Sequence, residues 1–94
     1  MPVSIARRFG ANLRVARKRA GLSHEEAGIR ASLHRTEVGL LERGERTPRI
    51  DTAVKLAGAV EVSIAELFDG IAWNPGSAQL GSFVLRDPEE APES

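Results

Sequence analysis

The 94-residue chain contains no cysteine. That absence excludes disulfides, thiolate metal sites and a cysteine nucleophile. Histidine is nearly as scarce. The two present, His24 and His34, stand ten residues apart, and no carboxylate or third histidine is spaced to complete a metal site with them. No phosphate-binding loop or dinucleotide fingerprint occurs, and the serines fall where helices begin, which is their common use. Neither an enzyme nor a metal or other cofactor is expected. Long apolar runs are missing too. None approaches the ~20 residues that a membrane-spanning helix requires, and the N-terminus lacks the apolar stretch of a secretory signal. The reading is a cytoplasmic protein of one small domain, with a modest core and room for one binding surface.

Net charge is also missing, because thirteen Lys and Arg balance thirteen Asp and Glu. The balance hides a segregation. Residues 1–50 hold eleven Lys and Arg against five Asp and Glu, whereas residues 51–94 hold two against eight. A basic half joined to an acidic half suggests a polyanion-binding face, although a charge run taken alone is more commonly a solvated helix surface.

Apolar residues recur at helical spacing in five segments. Ile5, Phe9, Leu13 and Ala16 form the stripe of the first, with Arg7, Arg8, Arg14, Lys18 and Arg19 on its other faces and Gly21 at its end. Ser23 with Glu26 three residues on is a capping box, which starts a second helix over about 24–30. A third runs from His34 or Arg35 to about Arg43, with Val38 and Leu41 as its stripe and Gly44 as its stop. After the Thr47-Pro48 turn, Asp51 or Thr52 starts a fourth, with Ala53, Val54, Leu56, Ala57 and Val60 facing inward. Ser63 caps a short fifth helix from Ile64 to Phe68, with Glu66 completing a second box and Gly70 ending it. Beyond this point the pattern changes. Ile71-Ala-Trp73 and Ser82-Phe-Val-Leu85 are strand-like around the turn signal Asn74-Pro-Gly-Ser77. The acidic, proline-containing end, 87–94, reads as a disordered tail.

The second and third helices, short and separated by a tight break, have the spacing of a helix-turn-helix, in which the second helix of the pair enters the major groove. Gly28, after Ala27, supplies a small residue where the two helices cross. In its detail the sequence resembles the Cro/C1-type (XRE-like) helix-turn-helix family of phage and bacterial repressors. The family's Gly-Leu-Ser-Gln-Glu-Glu-Leu-Ala stands here as Gly21-Leu-Ser-His-Glu-Glu-Ala-Gly28. Its Ile-Glu-x-Gly stands as Leu41-Glu-Arg-Gly44. Its fourth helix matches Pro48 through Leu56-Ala57, and its closing Val-Ser-x-x-Glu-Leu-Phe matches Val62-Ser-Ile-Ala-Glu-Leu-Phe68. The likeness spans roughly residues 5–70 in register. It departs at His24 for Gln, Ala27 for Leu, Gly28 for Ala and Ser32 for the turn glycine. The resemblance implies an all-α, five-helix, lambda-repressor-like domain over 1–70, to which the strand-like pattern adds a short β-like extension over 71–86.

The resemblance also assigns roles. Double-stranded DNA is the implied partner. His34 stands where the reading helix starts and either touches phosphate or a base edge or is a plain surface histidine. Arg35 and Thr36 form its first exposed turn. An arginine can bind guanine O6 and N7 in a bidentate fashion, and a threonine can offer a hydroxyl or meet a thymine methyl. Gly39 allows close approach to DNA, and Leu40 either meets a thymine methyl or covers nearby core. His24, Arg43 and Arg46 hold the family's phosphate-contacting places, with Arg14 and Lys18 extending the strip or simply solvated. Glu37 points away, pairs with Arg30 or Arg35, or accepts from a cytosine. Arg17 and Glu42 are implied as an ion pair tying the reading helix to the first.

Two functions remain in competition. One is a transcriptional regulator, most simply a repressor that binds a pseudo-palindromic operator as a homodimer joined through a hairpin bearing Trp73, Phe83 and Leu85. The other is an antitoxin or adaptor that uses the same fold to hold a protein partner, a toxin or another regulator, since function belongs to the site and not to the fold. Trp73 is either core or an interface anchor.

Overall fold

The computed structural model describes residues 4–77 and 80–87. Five helices, α1 (Ile5–Arg19), α2 (His24–Ala31), α3 (Arg35–Glu42), α4 (Ile50–Ala59) and α5 (Ile64–Leu67), precede two strands, β1 (Ile71–Asn74) and β2 (Ser82–Leu85). The tail expected over 87–94 lies outside the described residues, apart from Asp87.

Each helix begins for a local reason. The Ser4 hydroxyl accepts from the Arg7 amide at the start of α1. Ser23 and Glu26 form the full reciprocal box at α2, satisfying two amides that a helix start otherwise leaves without partners. The second box is only half made. Ser63 accepts from the Glu66 amide, but the Glu66 carboxylate turns to Arg19 of α1 at 3.6 Å. α4 starts earlier than Asp51 or Thr52. Arg49 is its N-cap without a side-chain bond, because Thr52 is buried and packs instead of capping.

The first four helices share one ending. The residues after them, Gly21, Ser32, Gly44 and Glu61, have φ of 75°, 58°, 73° and 64°. The next amide in each case bonds back five residues: Leu22 to Arg17, Leu33 to Gly28, Glu45 to Leu40 and Val62 to Ala57. This is the Schellman motif. Glycine adopts its left-handed position freely, and serine and glutamate do so at a steric cost.

The apolar stripes meet in one core. Phe9, Leu13, Val38, Leu41, Leu56 and Leu67 are fully buried, joined by Ala16, Ala27, Ala31, Ala53, Ala57, Ala59 and Val60. Each large side chain contributes roughly 1.5–3 kcal/mol on leaving water. Phe9 packs on Phe68 with ring centroids 5.4 Å apart. Val54 departs from the expected inward set. It is 48% exposed, because the helical period puts it with Ile50 and Gly58 on the outer face of α4.

The hairpin is antiparallel, with Ile71 opposite Leu85 and Trp73 opposite Phe83. Its base is tied to the helices through polar groups. Buried Arg8 donates to Asn12 Oδ1 and to the Arg86 carbonyl. Asn12 in turn donates to the Leu67 and Asp69 carbonyls, and the Arg86 amide reaches the Gly70 carbonyl. Burial lowers the Arg8 guanidinium from its ordinary pKa, as does the neighbouring Arg86 cation, while Asp69 and Asp87 oppose the shift.

Candidate nucleic-acid interface

The turn between α2 and α3 is as tight as its backbone allows. A Cβ added at Gly28 would stand 2.6 Å from the Leu33 carbonyl oxygen and 3.3 Å from the Arg35 nitrogen. The crossing therefore uses a position with no side chain. After Ser32 and Leu33, α3 opens on His34, whose Nδ1 accepts from the Thr36 amide at 3.1 Å. An accepting Nδ1 carries no proton, so the ring's N–H lies on Nε2. The sequence did not reveal this cap, because histidine is not among the common N-cap residues.

Val38 and Leu41 bind α3 to the core with no exposed surface. The opposite face of the first turn carries Arg35 and Thr36, both exposed. One turn on, Leu40 is half-buried and Gly39 is buried. What covers Gly39 is the Arg43 guanidinium: a Cβ at Gly39 would meet Arg43 Nη1 at 3.0 Å.

The far end of α3 is fixed by the pair that the resemblance implied. Glu42 accepts from Arg17 Nε at 2.5 Å and Nη2 at 3.0 Å, with side chains only 5% and 11% exposed. Arg17 Nη1 also donates to the Leu22 carbonyl. Glu42 takes a second partner, His24 Nε2 at 3.1 Å. His24 is thus engaged with the scaffold as well as lining the adjoining cleft. That cleft, of about 330 Å³, is bounded by Arg14, Arg17, His24, Gly39, Glu42 and Arg43. It is a basic recess beside α3, whose floor carboxylate is already satisfied.

The remaining cations flank α3. Arg14, Lys18 and Arg46 are exposed. Arg43 Nε holds Glu45 at 2.6 Å, and Arg35 Nη1 lies 3.6 Å from Glu25 of α2. Glu37 pairs with neither of its expected partners, since Arg30 binds Glu61 at 2.8 Å and Arg35 faces Glu25. Arg14, His24, Gly39 and Arg43 therefore line one cleft, while Arg35 and Thr36 stand exposed at the other end of α3 from the buried Arg17–Glu42 pair. No group of three or more His, Asp or Glu among the described residues is placed to hold a metal ion. None of their helices is long and apolar enough to cross a membrane.

Trp73 lies outside the core. It is 56% exposed and meets Phe83, 52% exposed, edge to face at 5.0 Å. Leu85 is half-buried nearer the base of the hairpin.

A short two-turn helix, a left-handed turn and a second short helix with an exposed basic front define a helix-turn-helix protein. A family model described as a helix-turn-helix domain matches residues 8–68, and the chain belongs to that family, in its Cro/C1-type branch. Among solved structures, the restriction-modification controller protein C.AhdI from Aeromonas hydrophila is 38% identical. The match covers 67% of this chain and 96% of that one, with a TM-score of 0.65. A hypothetical transcription factor, NHTF, from Neisseria is 27% identical over 72% of this chain and 80% of its own, with a TM-score of 0.67. The clp gene regulator ClgR from C. glutamicum, 22% identical, shares the fold with a TM-score of 0.66 over 71% of this chain and 86% of its own. No curated protein matches the chain.

Proposed function

We propose that this protein is a sequence-specific DNA-binding regulator of transcription, not an enzyme, working in the cytoplasm. Residues 1–70 form its DNA-binding unit and residues 71–86 its dimerisation element. The observation that carries this is the exposed Arg35-Thr36 front of α3, set on a helix whose rear is held by the buried Glu42–Arg17 pair. An exposed arginine at the front of a groove helix anchored at its rear reads guanine, while Arg43, Arg46 and Arg14 contact phosphates and position the protein. His24, in the adjoining cleft, and His34, exposed at the start of α3, are the further phosphate-contacting residues. Thr36 and the half-buried Leu40 line the groove surface, and Gly39 lies beneath the Arg43 guanidinium. The controller and transcription-factor relatives agree with this reading.

The protein acts as a homodimer on a pseudo-palindromic operator and represses by occluding it. The two exposed aromatics of one face of the hairpin, with Val84 54% exposed on the other face, are more apolar than a solvated ribbon requires, and a two-stranded sheet leaves both edges open. A two-fold pairing of hairpins covers both features and sets two reading helices about one DNA turn (~34 Å) apart. The same apolar surface favours a second reading, in which it holds a toxin or another regulatory protein.

Two variants separate reading from positioning. Arg35→Ala is expected to lose about 1–3 kcal/mol on the operator and to relax preference at one base pair, while Arg43→Ala weakens all sequences alike and flattens the salt dependence. Equal losses on every sequence from both changes contradict the assignment of Arg35. Trp73→Ser with Phe83→Ser should give monomers in sedimentation equilibrium, and a persisting dimer overturns the hairpin interface.

A further inference from the structure

Arg35 has an acidic neighbour on α2, and their placement has a consequence for specificity. Its Nη1 lies 3.6 Å from Oε1 of Glu25, across the helix-turn-helix from the first turn of α2. Both side chains are about two-thirds exposed, so the pair is not part of the core. A guanidinium presents five N–H donors. With Nη1 turned to Glu25, the side-on edge formed by Nε and Nη2 remains available. That is the edge a bidentate contact to guanine O6 and N7 needs. By contrast, Arg14 and Arg46, also on or beside this face, have no acidic partner among the described residues.

We propose that Glu25 is a specificity-determining positioning residue, which holds Arg35 over the groove and keeps it off the phosphate backbone. The inference rests on the reading of α3 as the groove helix. An untethered arginine at this place has two attractive targets. Phosphates are present at every step of any duplex, and a guanine in register is present only in the operator. Glu25 acts on this choice in two ways. Its carboxylate retains Nη1 while the other edge points into the groove. Its negative charge, at the front of α2, also repels the phosphate towards which Arg35 would otherwise swing. In the operator complex Arg35 binds guanine and Glu25 together. On any other sequence it stays with Glu25 and adds little. Arg14 and Arg46 supply the sequence-independent attraction, and Arg35 is reserved for reading.

The test is a double-mutant cycle of Glu25→Gln and Arg35→Ala. Affinity is measured for the selected operator and for a scrambled duplex, at two or more salt concentrations. An exposed pair of this kind changes an equilibrium by roughly two- to five-fold. Glu25→Gln should therefore strengthen binding to scrambled DNA by about that factor, leave operator affinity unchanged or slightly lower, and relax preference at the base pair assigned to Arg35. In the Arg35→Ala background, the same Glu25→Gln change should leave the operator-to-scrambled ratio unaltered. If Glu25→Gln raises affinity for both duplexes equally, and does so again without Arg35, Glu25 acts only as a stray negative charge and the proposal fails. If the wild-type protein binds no duplex with sequence preference, the reading of α3 fails first, which separates the two. Glu25→Asp, which keeps the charge on a shorter arm, should restore part of the ratio, and no restoration argues against a positional role.

Discussion

Arg17→Met is the sharpest perturbation of the scaffold under α3. The substitution keeps most of the side-chain volume and deletes three hydrogen bonds, two to Glu42 and one to the Leu22 carbonyl. Glu42 is left with a 5% exposed carboxylate and His24 as its one remaining partner. Breaking a buried pair from one side costs about 3–5 kcal/mol, mostly because the surviving charge stays desolvated. Glu42 borders the open cleft, which lets water reach it, so the lower end, about 3 kcal/mol, applies. At about 0.05–0.15 kcal/mol per residue, a chain of this size has only some 5–14 kcal/mol in total. The midpoint of thermal unfolding should therefore fall by roughly 12–24 °C. Removing both charges with Arg17→Met and Glu42→Leu together leaves no orphaned charge, and stability should return to within about 1 kcal/mol of the parent. DNA affinity should stay reduced, since the rear of α3 is no longer tied to α1. Urea and thermal unfolding followed by circular dichroism decide the matter. A single-variant loss under about 1 kcal/mol, or a double variant as unstable as the single, refutes the reasoning.

Other substitutions test the turn and the caps. Gly28→Ala gains up to about 1 kcal/mol in helix propensity, but its Cβ would stand 2.6 Å from a carbonyl oxygen. A net loss of about 1–3 kcal/mol is expected, and a stabilised Gly28→Ala protein contradicts the close crossing. Ser32→Gly relieves a left-handed serine at φ 58° and should raise the thermal midpoint, by an amount equivalent to about 0.5–1 kcal/mol. A lower midpoint argues that serine is at ease there. The Glu26 carboxyl is held below its ordinary value by the Ser23 backbone amide first and the Ser23 side chain second. A depressed carboxylate contributes its stability fully above the ordinary glutamate pKa and loses it as the pH falls through the lower folded value. Glu26→Gln should therefore flatten the acid limb of a stability–pH curve in that window, and an unchanged limb removes the box from the account.

Much of this architecture is written locally and is legible for that reason. Ser23 with Glu26, Gly21 and Gly44 signal helix ends within three or four residues of chain, and Phe9, Leu13, Val38, Leu41, Leu56 and Ala57 declare their faces by period. The features that escaped depend on partners distant in sequence. Ser32 and Glu61 occupy left-handed positions that their side chains do not advertise. Val54 continues an apolar run but falls on the outside, because burial on α4 is decided by where α2 and α5 sit. Gly10 reads as an ordinary helix interior, yet a Cβ there would stand 2.3 Å from the Leu41 carbonyl oxygen, so it lets α1 approach the end of α3. At the interface, the Arg17–Glu42 pair was available only through family resemblance, since 25 residues separate its members. The attachment of His24 to Glu42 and of Arg35 to Glu25 was not legible at all. Several carboxylates lie within reach of each cation, and only packing selects among them.

The most direct test of the account is selection by the purified full chain from a random pool of double-stranded DNA, repeated at two salt concentrations. The account predicts enrichment of an inverted repeat whose half-sites lie about one helical turn apart, with a guanine position whose preference disappears in Arg35→Ala. Salt-sensitive binding with no enriched sequence would contradict it. That result would leave a basic helical domain whose specificity lies with a protein held at Trp73 and Phe83.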